Sequence, residues 1–158
     1  MGDVAAFERV FHIVSTQIEK HPVVVVSAMT RVTDALLNAF DIAKKGDHSE
    51  AFTTLGEHFD RHVEVAKNFF GGRSSDAFDA ELQFAREELS DLLIRTSRRS
   101  LPLSMLKDAI VSYGEQLSSR LLAEVLKTKG INGRQVDSAM RQKILDDELT
   151  SRKPAATR

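Results

Sequence analysis

Apolar side chains recur at steps of three and four residues through the first part of the chain. On a helix this spacing places them along one face, which would carry Val4, Phe7, Val10, Phe11, Val14 and Ile18. His21-Pro22 ends the pattern, because proline cannot continue the helical hydrogen-bond ladder and disfavours helix in the residue before it. The spacing therefore predicts an amphipathic helix over residues 3–20.

Four consecutive valines follow this helix, at residues 23–26. A run of β-branched residues is typical of a strand buried on both faces inside a parallel sheet. A helix followed by such a strand indicates an α/β fold. A buried strand needs neighbours for its backbone donors and acceptors, and the chain offers only weak candidates, at residues 131–136 and 142–145. We therefore expect a depleted sheet from which a neighbouring strand is missing.

The rest of the chain has helical spacing. The pattern predicts helices over residues 32–45, 49–70, about 75–100 and 102–129, the last with Ser104 as a candidate cap, and stop signals at Gly46, Gly71-Gly72 and Gly130. Residues 150–158 are polar, basic and proline-containing, which predicts a disordered tail. The expected organisation is one folded unit over residues 1–149 followed by this tail.

Composition narrows the classes of function. With 158 residues, 42% of them hydrophobic, the chain is large enough for a real core. A formal net charge of −1 gives no global attraction to nucleic acid, and no apolar run is long enough to cross a bilayer. The absence of cysteine excludes disulfides, thiolate metal sites and a cysteine nucleophile. We expect a cytoplasmic protein with neither nucleic acid nor membrane as a partner.

Two segments carry candidate chemistry. In the first, Ser27 follows the valines and Thr33 opens the next helix. Open α/β sheets bind ligands at the carboxyl ends of their strands, where hydroxyls and helix amides can meet an anion. In the second, Gly114 interrupts a helical pattern and indicates a close approach or a break, since glycine costs a helix about 1 kcal/mol relative to alanine. Glu115, next to it, is a candidate acceptor for a ligand ammonium.

Each candidate also has a purely structural interpretation. Ser27 and Thr33 are residue types that commonly cap turns and helices. Glu115 is typical of an ordinary solvent-exposed helix position. His58 and His62 share a helical face, but Phe59 stands where a zinc protease has glutamate, and no third ligand is evident. We therefore predict no metal site and no catalytic residue from spacing alone.

The two segments together resemble the aspartokinases. Ser-Ala-Met at residues 27–29 and Val-Thr-Asp-Ala-Leu-Leu at 32–37 are combined with Ser-Tyr-Gly-Glu-Gln-Leu-Ser-Ser at 112–119. The similarity extends from Gly2 to the region of Asp147. It implies the N-terminal part of an aspartokinase catalytic domain: α/β, a helix-rich portion of the three-layer amino-acid-kinase sandwich with a depleted parallel sheet.

The resemblance also implies an activity and a set of ligands. Aspartokinases phosphorylate the β-carboxylate of L-aspartate with ATP and magnesium, the entry step to lysine, threonine and methionine. By this resemblance Ser27 and Thr33 correspond to positions lining the aspartate and phosphoryl pocket, and Glu115 to the residue that engages the amino group of aspartate. L-aspartate is the expected substrate.

The sequence departs from the family at the nucleotide-binding segments. The family's Lys-Phe-Gly-Gly-Thr-Ser-Val motif, whose lysine bridges the phosphates, is not in this sequence, and neither is its glycine-rich loop. We therefore expect ATP binding to fail and the chain alone to be inactive, with a complementing chain or a homo-oligomer as further partners. The alternative function is a non-catalytic helical interaction or assembly module derived from the same fold.

Overall fold

The computed structural model describes residues 4–72 and 75–136, which form six α-helices. The helices are α1 (Val4–Thr16), α2 (Val32–Lys44), α3 (His48–Thr53), α4 (Gly56–Phe69), α5 (Asp76–Arg98) and α6 (Leu103–Thr128). A 3₁₀ turn, Ile18–Lys20, follows α1. None of these described helices is both long and apolar enough to cross a membrane.

Helix α6 forms the centre of the fold. Residues on one face recur every three or four positions and are buried, among them Leu106, Ile110, Leu117, Leu121 and Val125. Helix α5 packs along α6, and α2 contacts both of them as well as α3. Helices α1 and α4 add further contacts with α6. The core therefore lies between α2, α5 and α6.

The ends of two helices follow the signals in the sequence. The Ser75 hydroxyl accepts a hydrogen bond from the Phe78 amide at 3.1 Å and caps α5. At the end of α4, Gly71 and Gly72 have φ values of 70° and 88°, in the left-handed region that favours glycine. The Gly72 amide donates to the Lys67 carbonyl at 2.9 Å, which satisfies one of the last helical acceptors. The predicted start of α5 and stop of α4 are confirmed.

Two predicted helices differ from the structure. The helix expected over residues 49–70 is divided into α3 and α4, with Leu55 buried at the junction. Gly56 opens α4 at this division, where its low helix propensity is least costly. The helix expected over residues 3–20 ends as an α-helix at Thr16 and tightens into the 3₁₀ turn.

The predicted α/β fold class is wrong, because the described residues contain helices and no strand or sheet. The valine segment, residues 23–26, is an irregular connection, with Val23 and Val25 exposed by 89% and 82%. None of its backbone groups is hydrogen-bonded to the described part of the chain. A strand forms only where a neighbour supplies a ladder of hydrogen bonds, and β propensity alone does not replace that neighbour.

The other predicted strand that falls within the described residues provides no such neighbour. Residues 131–136 lie against α6: the Ile131 amide donates to the Leu126 carbonyl at 2.9 Å, and the Gln135 side-chain amide donates to Ser119 Oγ at 3.0 Å. Residues 142–145 and the tail predicted at 150–158 lie outside the described residues. The depleted sheet of the prediction is thus replaced by helices packed on helices.

The exposure of the valine segment predicts a contrast between two substitutions. Val25→Thr should change the free energy of unfolding by less than about 0.5 kcal/mol, because an exposed side chain loses little burial. Met29→Ala, at a side chain that is 1% exposed, should cost about 2–5 kcal/mol. Urea denaturation of both variants measures the difference. A loss above about 2 kcal/mol for Val25→Thr would show that the valines are covered in solution.

Candidate functional site

The first part of the candidate site is the turn between the valine segment and α2. Ala28 and Met29 are buried, whereas Ser27 and Thr30 are exposed. The Val32 amide donates to the Met29 carbonyl at 3.0 Å and closes the turn. The buried pair therefore anchors the turn on the core, and the hydroxyl residues on either side remain accessible.

The second part is the middle of α6, where Gly114 is buried within an unbroken helix. A Cβ placed on Gly114 would lie 2.7 Å from the Ala28 Cβ and 3.5 Å from the Val32 Cγ1. Carbon atoms in ordinary contact are about 3.5–4.0 Å apart, so only glycine allows this approach. Of the two structures expected from the mid-helix glycine, the close approach is confirmed and the break is wrong.

The predicted site residues flank this contact. Ser27 precedes Ala28, Thr33 follows Val32, and Glu115 follows Gly114. Ser27 and Glu115 are exposed, and Thr33 is half-buried. The structure thus brings the turn, the first turn of α2 and the middle of α6 together, with one candidate side chain on each. We refer to this arrangement as the Gly114 corner.

The polar side chains of the Gly114 corner are not engaged elsewhere in the described part of the chain. Arg31 is the residue before α2, and no side chain caps the helix. The hydroxyls of Ser27 and Thr33 make no hydrogen bond to a described residue, and the Glu115 carboxylate makes no ion pair with one. The capping interpretation of the two hydroxyls is therefore wrong for the described chain.

Helix α4 holds the same turn from another side. The Arg61 Nη1 group donates a hydrogen bond to the Thr30 carbonyl at 2.9 Å. This arginine was not among the predicted site residues, because it stands 31 positions from Thr30 and has no local motif. Only the packing of α4 reveals its role. The turn is thus fixed by a polar contact from α4 and an apolar contact from α6.

The two histidines of α4 are structural groups with unequal surroundings. His62 is 1% exposed, and its Nδ1 lies 2.6 Å from the His58 carbonyl oxygen. A carbonyl only accepts, so Nδ1 carries the proton and Nε2 carries the lone pair. That Nε2 has no partner among the described residues. Burial, reinforced by the charge of Arg61, lowers the pKa of His62, which favours the neutral ring.

A small cavity adjoins these histidines. Its volume is about 10 Å³, and its lining includes His58, His62 and Tyr113. Such a volume is about that of one water molecule, so no organic ligand fits. Within residues 4–72 and 75–136, no group of three or more histidine, cysteine, aspartate or glutamate side chains is arranged to hold a metal ion.

An open depression lies between the ends of α2 and α5. It is lined by Asp41, Lys44, Lys45 and Arg99. Cations collect at helix C-termini because the backbone carbonyls there carry partial negative charge. The helix ends therefore account for this cluster, and it contains none of the predicted site residues.

Comparison with known proteins identifies the family. Residues 1–156 match the Amino acid kinase family. The chain belongs to this family. Within it, the chain is 30% identical over 155 residues to Aspartokinase 1, chloroplastic, of Arabidopsis thaliana, covering 95% of this chain and 26% of that protein. It is therefore an aspartokinase-like member of the Amino acid kinase family.

A second group of relatives consists of longer proteins. Over 130 residues the chain is 28% identical to Bifunctional aspartokinase/homoserine dehydrogenase 2, chloroplastic, of Zea mays, covering 82% of this chain and 14% of that protein. The corresponding protein 1 of Zea mays matches with the same identity and coverage. The chain therefore spans about a quarter or less of the length of these relatives.

The buried histidine predicts that stability falls in acid. His62 has a lowered pKa in the folded chain and an ordinary pKa of about 6.5 when unfolded, so below pH 6.5 the unfolded chain binds more protons. The free energy of unfolding should decrease as the pH falls from about 7.5 to about 5, by up to about 1.4 kcal/mol per pH unit from this group. Urea denaturation at a series of pH values measures the slope.

A matched pair of variants tests whether His62 causes the dependence of the free energy of unfolding on pH. His62→Gln should flatten it, whereas His12→Gln, at an exposed position on α1, should leave it unchanged. Burial and the charge of Arg61 also lower the pKa of His58, so a smaller dependence should remain in His62→Gln. An unchanged slope in His62→Gln would contradict the assignment.

Proposed function

We propose that residues 1–149 carry the aspartate-binding part of an aspartokinase catalytic domain. The observation that carries this proposal is the contact of Gly114 with Ala28 and Val32, whose neighbours along the chain are Glu115, Ser27 and Thr33. Membership of the Amino acid kinase family and the aspartokinase relatives support the same assignment. The substrate proposed for the Gly114 corner is L-aspartate.

The side chains of the Gly114 corner match the two kinds of charge on aspartate. The hydroxyls of Ser27 and Thr33 can donate hydrogen bonds to a carboxylate, and the Glu115 carboxylate can accept them from an ammonium. The three side chains are not committed to partners in the described chain, so a ligand displaces no internal hydrogen bond. The proposed roles are carboxylate binding for Ser27 and Thr33, and ammonium binding for Glu115.

The residues present do not fit ATP with magnesium. The described cations at the turn include Arg31, which is exposed, and Arg61, which donates a hydrogen bond to the Thr30 carbonyl. The described residues offer no cluster of metal ligands, and the sequence contains no Lys-Phe-Gly-Gly motif. Phosphoryl transfer depends on neutralising charge at the transferring group. We therefore propose that this chain alone has no kinase activity, and we assign no transfer step to it.

In this proposal the chain acts in the first step of lysine, threonine and methionine biosynthesis only when a second polypeptide segment supplies the nucleotide-binding lysine and glycine loop. The exposed Val23 and Val25 favour a second candidate function, a helical interaction or assembly module that binds a partner and no aspartate. The two functions differ in their dependence on Glu115.

The proposal predicts that aspartate binds to the chain. Calorimetric titration should give saturable heat, and Glu115→Gln should weaken the affinity about 10- to 100-fold, because a hydrogen bond to a charged group is worth about 1.5–3 kcal/mol. Thr33→Val removes a donor to the ligand carboxylate and should weaken it about tenfold, at the lower end of the same range. Asp108→Asn is the matched control, since it removes an exposed charge from the same helix outside the Gly114 corner.

Binding of succinate distinguishes the contribution of the ligand ammonium from that of its carboxylates. Succinate keeps both carboxylates of aspartate and lacks the ammonium, so Glu115→Gln should not weaken its binding. No heat from aspartate with a folded sample, as judged by circular dichroism, would contradict the proposed function. Equal affinities of Glu115→Gln and Asp108→Asn would contradict the role of Glu115.

A complementation assay separates the two candidate functions. Adding a polypeptide that bears the family's lysine motif and glycine loop should produce aspartate-dependent ATP consumption, and Glu115→Gln should abolish most of it. An interaction module would bind a partner with no gain in activity, and its binding would be the same in Glu115→Gln. ATP consumption that does not depend on aspartate would contradict the proposal.

A further inference from the structure

At Gly114, the contact between α6 and the turn before α2 has no room for one methyl group. A Cβ on Gly114 would meet the Ala28 Cβ at 2.7 Å, and would also touch the Val32 Cγ1 and Leu36 Cδ1 atoms at 3.5 Å. Ordinary contact between carbon atoms begins at about 3.5 Å, so alanine at this position requires the two backbones to separate by roughly 1 Å. Helix α6 is regular here, so the separation would move the helix as a body.

This contact is flanked by the residues assigned to aspartate. Ser27 is the neighbour of Ala28, Thr33 of Val32, and Glu115 of Gly114. The distance between the two backbones at the contact therefore sets the distance between the ammonium acceptor and the two carboxylate donors. A ligand with an ammonium at one end and a carboxylate at the other is held at both ends only at one separation.

We propose that Gly114 is a positioning residue: its missing side chain, packed on the Ala28 methyl, sets the separation of Glu115 from Ser27 and Thr33. The inference rests on the proposed function as far as aspartate is concerned. Its purely geometric part, that the Gly114–Ala28 contact sets this separation, is independent of any ligand. Glycine is unfavourable inside a helix, so close packing at this position accounts for its presence.

Arg61 makes the turn a fixed reference for this separation. Its hydrogen bond to the Thr30 carbonyl ties the turn to α4, so the turn is held by a second contact besides the one between Gly114 and Ala28. A group added at Gly114 then displaces α6, and Glu115 with it, relative to the two hydroxyls. A small displacement of this kind disturbs a ligand that must be held at both ends.

The test uses two single variants and the double variant that exchanges the methyl group across the contact. Gly114→Ala should weaken aspartate binding at least about tenfold and leave succinate binding within about twofold, so the preference for aspartate collapses. Gly114→Ala/Ala28→Gly removes the clash, and should restore that preference to within about threefold of the original chain. A merely structural role would lower stability without changing the preference of the folded protein.

A second readout requires no ligand. Nuclear Overhauser effects between the methyl group of Ala28 and the α-protons at position 114 fall steeply with distance. They should be strong in the original chain and weakened in Gly114→Ala. In the double variant the methyl group is on the other side of the contact, and its Overhauser effect to the α-protons at position 28 should again be strong. Unchanged intensities in a folded Gly114→Ala variant would overturn the proposal.

The outcomes separate this inference from the proposed function. Aspartate binding that is unaffected by Gly114→Ala would overturn the positioning role and leave the proposed function standing. No aspartate binding by the original chain would contradict the proposed function, and the Overhauser intensities would then decide the geometric inference alone. If Gly114→Ala does not fold, Ala28→Gly decides: it should lower the preference for aspartate about threefold, and an unchanged preference would overturn the proposal.

Discussion

The contact between Gly114 and Ala28 is the constraint on which the arrangement of the other elements depends. Helix α6 is the longest described helix, and its buried face touches most of the fold. At Gly114 this face has no side chain, and the turn before α2 occupies the space. Interior packing is dense, so filling one such space with a neighbouring backbone fixes where that backbone runs. The polar side chains beside the contact are placed in consequence, without side-chain hydrogen bonds to the described chain.

Helix α4 shows how one amphipathic helix can support two different environments. Arg61 and His62 are adjacent, yet Arg61 reaches the Thr30 carbonyl and His62 is buried in the core. A buried imidazole is tolerated here because its Nδ1–H bonds the His58 carbonyl within the same helix. The ring is thereby fixed in one tautomer, and burial together with the charge of Arg61 lowers its pKa and favours the neutral form. Its proximity to Tyr113 across the small cavity links α4 to the segment of α6 that carries Gly114 and Glu115.

Local sequence signals predicted local structure correctly. They failed where the structure depends on contacts between residues that are far apart in the sequence. Ser75 and Gly71-Gly72 predicted helix ends, because capping involves only adjacent residues. Gly114 predicted a close approach, although its partner Ala28 had no signal beyond its small size. The valine segment led to the wrong fold class, since a strand requires a neighbour that the described chain does not provide. Arg61 could not be found, because its hydrogen bond depends on how α4 packs. The resemblance of residues 27–37 and 112–119 predicted the family correctly.

The valine segment also has a consequence for how the chain can be divided. It joins α1 to the remainder, its Val23 and Val25 side chains are exposed, and its backbone bonds no described residue. Exposed connections of this kind are where proteases cut and where new chain ends are tolerated. Phe7 and Val14 of α1 are nevertheless buried, with the Phe7 ring 6.2 Å from that of Phe69. A cut within residues 23–26 would thus leave α1 attached through its packing alone, as a separate peptide that the helical body can release and take up again.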